Sequence, residues 1–255
     1  MVDRMDRIVE ILARKGYQSV NELAAELGVS DMTVRRYLDR LEQREQVRRT
    51  HGGAFAGQTM IEVDYSIRET VRRADKEAIG QEAFSLIQPG ESVFIDAGTT
   101  PAYLAYAISE TMRLTVVTNS LSVARALESK PNVQCLLLGG TVHGVTHSLV
   151  GPLAEDSIGQ FRFNKAFLGT SAIDLGQGLS QSNFEEIPVK KKAARQATEV
   201  IVLADSSKFN SDVTFLFLPL GAVHTIVTDQ GIATADRTAL QEKGIRVLVA
   251  TARTR

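Results

Sequence analysis

The chain has 255 residues, 44% of them hydrophobic and 23% charged, with a net charge of −1. This suits one large soluble domain or a small one joined to a medium one, and it excludes attachment to nucleic acid by bulk charge, so any polyanion-binding surface must be local. The charged, amphipathic start MVDRMDRIVEILARKG lacks a signal-peptide core, no apolar run is long enough to span a bilayer, and the one cysteine, Cys135, has no intramolecular partner. The expected setting is the cytoplasm.

Residues 4–14 place Met5, Ile8 and Leu12 at helical spacing. Ser19-Val20-Asn21-Glu22 fits a capping box opening a second helix, with Leu23, Ala24 and Leu27 inward and Gly28 as its stop. Ser30 caps a third helix expected to run to about Arg44, with Val34, Leu38 and Leu41 on its inner stripe. Three short helices with a tight turn before the third describe a helix-turn-helix, and residues 46–55 read as a β-hairpin wing. Residues 1–56 are therefore expected to form a winged helix-turn-helix domain, and 57–75 a linker with at most one helical turn.

From Lys76 to Arg255 the pattern changes to an α/β domain. Short apolar strands are predicted at 92–96, 114–118, 133–138, 165–168, 199–204, 224–228 and 246–250. Helical stretches near 101–109, 121–129, 185–198 and 235–243 separate several of them. Such strands indicate a mostly parallel sheet covered on both faces.

The third helix carries Arg35, Arg36 and Arg40 away from its apolar stripe, with Thr33 near its start. A recognition helix needs this division, with an apolar face to fix its angle and outward donors for base edges and phosphates. Arg48 and Arg49 continue the positive surface along the wing, and His51 there is read as a structural or phosphate-contacting residue. Together with Ser30 these are the candidate DNA-binding residues. An arginine-bearing helix face is ordinarily only a solvated one, but here cap, turn glycine, inner stripe and basic wing coincide.

Among the strand ends, Asp96-Ala97-Gly98-Thr99-Thr100 leads into a helix opened by Pro101. Free amides, the helix dipole and two hydroxyls make such a turn an anion site. Thr118, Asn119, Gly140, Asp205 and Lys208 lie at other strand ends, which share one edge in an open parallel sheet. Lys208 suits a phosphate, while Asp96, Asn119 and Asp205 suit hydroxyls. Lys165 is a further candidate. Glu185 or Glu186 may be read either as facing a ligand or as complementing a helix start, and Lys190, Lys191 and Lys192 are read as solvated. His143 and His147 lack the helical face and third ligand that zinc needs, and Cys135 is read as an inert thiol.

The stretch VNELAAELGVSDMTVRRYLDRLEQREQVRRTHGGAF resembles the DeoR-type winged helix of bacterial sugar-operon repressors. The resembling residues include Glu22-Leu23-Ala24, Val29-Ser30, Thr33-Val34-Arg35-Arg36 and His51-Gly52-Gly53-Ala54, while Tyr37 and Glu45 depart from the family pattern. PGESVFIDAGTT, TVVTNS, LLLGG, KAFLG and VLADSSKF are similar to the DeoR sensor domain. The resemblance implies a sensor fold like ribose-5-phosphate isomerase, a phosphorylated sugar or related effector cradled at the DAGTT turn, double-stranded operator DNA as partner, and a homodimer or homotetramer. No cofactor, metal or catalytic residue is expected. Two other readings stand beside this one. One is a sugar-phosphate isomerase or hydrolase with a DNA-binding head, in which Asp96, Glu185 and Lys208 move protons. The other is a constitutive DNA-binding protein whose α/β domain only oligomerises.

Overall fold

The computed structural model describes residues 4–15, 18–44, 46–50, 52–56, 65–211 and 213–251. Glu45, His51, the side chain of Arg48 and residues 57–64 of the expected linker lie outside what is described. The chain divides into two compact units, Met1–Val71 and Arg72–Arg255.

The first unit contains helices α1 (Arg4–Lys15), α2 (Val20–Leu27) and α3 (Asp31–Gln43) and a three-stranded sheet. In that sheet β3 (Gly53–Ala56) lies between β1 (Gln18–Ser19) and β2 (Val47–Thr50). The capping box forms: Glu22 N–H donates to Ser19 Oγ at 3.2 Å, and Ser19 N–H donates to Glu22 Oε2 at 2.7 Å. Gly28, at φ 64°, ends α2. Ile8 and Leu12 pack with Leu23, Val34, Leu38 and Leu41 in one buried cluster, and Tyr37 lies half-buried against it. The short strand β1 had no alternating signal, because two residues are too few to show one. A six-residue helix, α4 (Tyr65–Thr70), completes the described part of this unit.

The second unit is built on a seven-stranded parallel sheet. In spatial order its strands are β15 (Arg246–Ala250), β14 (Thr225–Asp229), β12 (Ala197–Leu203), β9 (Phe163–Gly169), β4 (Ser92–Ile95), β5 (Leu114–Thr118) and β6 (Val133–Leu137). Alternate residues feed two cores. Val93, Ile95, Phe167, Ile201 and Leu203 pack with α5 (Arg73–Phe84), α6 (Thr99–Ala107) and α7 (Leu121–Leu127). Phe94, Ala166, Leu168, Val200 and Val202 pack with α8 (Pro152–Ile158), α9 (Ile187–Gln196) and α10 (Thr234–Glu242). Burial on both faces is why these strands read as continuous apolar runs.

Smaller antiparallel pieces sit in the connections. These are the hairpin of β7 (Thr141–His143) with β8 (Ser148–Val150), and the sheet of β10 (Ala172–Asp174), β11 (Gly178–Gln181) and β13 (Phe215–Leu218). They were not expected, and neither was α8. Helix α5 begins at Arg73, inside the stretch expected to link the domains, and its buried face combines Ala78, Gly80 and Ala83 with Ile79 and one lysine, Lys76.

The crossing of α5 over α6 depends on one glycine. A Cβ on Gly80 would lie 2.5 Å from the carbonyl carbon of Tyr103 and 2.8 Å from the amide nitrogen of Leu104. Alanine is worth about 1 kcal/mol more than glycine in a helix interior, but contacts this short against backbone force the helices apart, at a typical cost of about 1–3 kcal/mol. Gly80→Ala should therefore lower the denaturant midpoint of the second unit. A midpoint unchanged or raised would show that the helices are free to separate.

Candidate functional site

Two surfaces carry the candidate residues, one on each unit. In the first unit, Val34, Leu38 and Leu41 are buried while Arg35, Arg36 and Arg40 are exposed. Ser30 and Thr33 are engaged with each other: Thr33 N–H donates to Ser30 Oγ at 3.4 Å, and the two hydroxyls lie 3.0 Å apart. They therefore build the start of α3.

Arg49, expected free on the wing for phosphate, is instead turned against α3. Its guanidinium pairs with Asp39, and its N–H donates to Glu42 Oε1 at 3.2 Å. Asp39 and Glu42 hold it there, so it orients the wing, with about a quarter of its side chain still exposed (25%).

In the second unit, β4 is flanked by β5 on one side and β9 on the other, so the chain changes direction across the sheet beside β4. The crevice at such a switch, beyond the strand carboxyl ends, is where open sheets take ligands. Asp96 lies there, 0% exposed. Its Oδ2 accepts from Gly169 N–H at 2.9 Å and from the Lys190 ammonium. Lys190 also donates to the Gly169 carbonyl at 3.1 Å and lies over the Phe217 ring. Asp96 Oδ1 is buried without a hydrogen-bond partner. Burial pushes the Asp96 carboxyl up, Lys190 pulls it back, and nearby Glu186 pushes it up again, for a net rise. Glu186 is itself buried and accepts from Gln181 Nε2.

Beside this pair, Gly98 takes φ 143° and Thr99 opens α6, with no side chain capping it. Thr99 and Thr100 are buried in the first turn. The start of a nine-residue helix thus lies at the switch crevice with the amides of Thr99 and Thr100, since Pro101 has none and the Ala102 N–H donates to the Gly98 carbonyl at 3.1 Å.

The other expected residues divide. Thr118 Oγ1 donates to the Ile95 carbonyl at 2.6 Å, and Asn119 Oδ1 accepts from Ala97 N–H at 3.1 Å, so both brace the Asp96 loop from behind. Gly140 lets β7 approach β8, since a Cβ there would lie 2.6 Å from the Val150 carbonyl oxygen. Glu185 is exposed at the rim, 4.0 Å from His143 Nε2. Lys165 does not belong to the site. It lies in the first half of β9, toward the opposite edge of the sheet, where its ammonium pairs with Glu91.

Asp205 belongs to a second cluster along the same edge. It accepts from Arg72 Nη1 at 3.1 Å and from Ser207 N–H at 3.0 Å. Arg72 also donates to Asp229 at 3.0 Å and to Asp75 at 2.8 Å, from a left-handed backbone position at φ 54°. Sequence pattern alone reads Lys190 as solvated, leaves Glu186 between two roles and puts Arg72 in the linker. A signal did exist for the first two. Glu186, Lys190 and Ala193 recur at helical spacing with Ile187, on the face that α9 buries.

A helix-turn-helix with a wing, followed by a parallel α/β unit with a polar crevice at its switch point, defines a two-domain DNA-binding regulator. The DeoR-like helix-turn-helix family matches residues 4–59, and the DeoR C-terminal sensor domain matches residues 71–230. The chain belongs to the DeoR family of transcriptional regulators. It is 34% identical to the uncharacterised HTH-type transcriptional regulator YulB of Bacillus subtilis, over 97% of this chain and 96% of that one. It is 30% identical to the glycerol-3-phosphate regulon repressor of Escherichia coli, over 89% and 90%. A solved ribose 5-phosphate isomerase from Methanocaldococcus jannaschii is similar at 17% identity and a TM-score of 0.40, over 52% of this chain and 53% of that one. Among the described residues no helix is long and apolar enough to cross a membrane.

The Asp205 cluster makes a prediction about acid. Burial alone would raise its carboxyl, but Lys208, the Ser207 hydroxyl and Arg72 outweigh it and hold it below the usual 3.8. A depressed carboxyl contributes stability that is present above its unfolded pKa and lost as pH falls through the folded one. Asp205→Asn should therefore be less stable than the parent at neutral pH, and the gap should close in acid, below about pH 4. A gap in thermal midpoint that stays constant from neutral pH into that acid range would show that the Asp205 charge contributes nothing.

Proposed function

We propose that the protein represses a carbohydrate-metabolism operon in the cytoplasm and that a phosphorylated sugar or related phosphometabolite controls it. The observation that carries this reading is the crevice beside β4, where the uncapped start of α6 meets a buried carboxylate oxygen that has no partner. The two ends ask for different things. The α6 amides and the Thr99 and Thr100 hydroxyls suit an anion, whereas Asp96 Oδ1 suits a hydroxyl donor. A small polyol carrying a phosphate satisfies both. Lys208, on the loop after β12, two strands along the same edge, adds a positive charge, and Asp205 beside it is a second hydroxyl acceptor. The relative named a glycerol-3-phosphate regulon repressor supports this ligand class.

In this reading α3 enters the major groove of operator DNA with Arg35, Arg36 and Arg40 toward the duplex, and the protein acts as a homodimer or homotetramer. Effector binding releases DNA because the two ligands favour different states of the protein, which is the requirement for any such coupling. The protein is a regulator and turns nothing over; consumption of pentose or hexose phosphates would overturn that.

A thermal-shift screen of phosphorylated sugars against their unphosphorylated parents tests the sensor. A true effector at about a hundredfold excess over its Kd adds on the order of 2–3 kcal/mol of stability, and the unphosphorylated sugar should add far less. Thr99→Val should weaken that stabilisation while leaving affinity for DNA upstream of the gene unchanged. In the head, Arg36→Ala should cost roughly 1–3 kcal/mol of specific binding. No stabilisation by any phosphorylated compound would remove the sensor half of the reading, and unchanged DNA affinity in Arg36→Ala would remove that residue as a reader.

A further inference from the structure

The arginines of α3 leave its most exposed apolar side chain unexplained. Met32, the second residue of the helix, is 81% exposed, more than any other large hydrophobic among the described residues. A single exposed apolar side chain is common and ordinarily needs no explanation. Its position is what asks for one.

At 3.6 residues per turn, the direction opposite the buried Val34, Leu38 and Leu41 stripe is occupied by Met32, Arg36 and Gln43, with Asp39 beside them. Met32 and Arg36 are four apart and therefore neighbours on that ridge. The first residues of a recognition helix are the ones that meet base edges. Two of the polar side chains at this start, Ser30 and Thr33, are engaged with each other. Asp39, the acid that would repel phosphate from the same ridge, is paired with Arg49. Met32 thus stands foremost on a ridge whose one cation is Arg36 and whose one acid, Asp39, is already paired.

A thioether offers almost nothing to a hydrogen-bond code, and the major groove presents one apolar group to meet it, the C5-methyl of thymine. We propose that Met32 is a specificity-determining residue that reads a thymine methyl in each operator half-site, with Arg36 one turn further on engaging the neighbouring base or phosphate. The inference rests on the DNA-binding reading above and adds to it a base and an atom. The partner is duplex DNA because the arginines surrounding Met32 complement a polyanion; a protein partner at this patch would leave base preference untouched.

The test is selection from a randomised duplex library by the full-length protein and by its Met32→Ala and Met32→Gln variants. Both substitutions fall on an exposed helix position that tolerates them. The parent should select thymine at one position per half-site. Replacing that thymine by deoxyuridine, which removes only the methyl, should weaken binding about fourfold, the value of one buried methyl group. Met32→Ala should lose both the preference and the deoxyuridine effect while keeping the rest of the selected site. Met32→Gln should also lose the methyl effect. If parent and Met32→Ala select the same sequences and lose the same factor on deoxyuridine, the inference is wrong and the DNA-binding reading survives. If the parent enriches no sequence, the DNA-binding reading falls and takes this inference with it.

Discussion

The crevice beside β4 is organised by the ion pair between Asp96 and Lys190, two charges buried where β4 and β9 end. Removing two charges from water costs several kcal/mol for each ion, and their attraction recovers this only with good geometry and further hydrogen bonds. Here those bonds come from Gly169, whose N–H donates to Asp96 and whose carbonyl accepts from Lys190. One backbone residue at the end of β9 thus binds both members of the pair, and the pair in turn fixes the loop after β4 against β9. Burial raises the Asp96 carboxyl, Lys190 pulls it back, and Glu186, a second buried acid near the single ammonium, adds to the rise. An apolar cluster of equal volume would give as much stability or more. What the charged cluster adds is one carboxylate oxygen, Oδ1, held in a fixed place without a partner.

The head uses its charges differently. Its core is wholly apolar, running from Met5 through Leu41 to Ala54, and its ionic contacts are at the surface. Asp39 is 53% exposed and its partner Arg49 25%, so in water their attraction contributes little to stability. Its effect is geometric. With Arg49 N–H also bonded to Glu42, the wing is held against α3 at two points, so the wing and the outward arginines form a single surface. Residues 30–50 carry six arginines against four acids, a local excess that the whole-chain charge of −1 conceals.

What could be read from the sequence follows from how local each signal is. The capping box at Ser19 and the cap at Ser30 involve residues three apart, and both form as expected. The strands of the parallel sheet were legible because burial on both faces leaves them continuously apolar. The DAGTT turn was legible because small residues at a strand end precede a helix. Lys190 was not, because a run of three lysines suggests solvent unless the helix is laid out face by face. Lys165 was misplaced for a related reason: a lysine within a strand gives no sign of which edge of the sheet it will reach. Arg72 was beyond reach, since its partners Asp205 and Asp229 are 133 and 157 residues away and only the folded sheet brings them to one edge.

The disposition of these cations constrains how an anion is met. Lys190 is committed to Asp96, Lys165 to Glu91 at the other end of the sheet, and Arg72 to three carboxylates. Among the cations traced along this edge, that leaves the start of α6 and Lys208, whose charge also acts on Asp205. A helix N-terminus is equivalent to about half an elementary charge, and a bound phosphate monoester carries roughly −1.5 to −2 at neutral pH. The helix start alone therefore leaves such a group unbalanced in a crevice where Asp96 and Glu186 share the one ammonium of Lys190, and on the proposed reading Lys208 divides its charge between Asp205 and the anion. A neutral sugar would gain nothing from the α6 amides, and a bare anion would leave Asp96 Oδ1 without a donor. On the proposed reading, discrimination by the crevice therefore turns on carrying both chemical groups at once, a hydroxyl toward β4 and an anion toward α6.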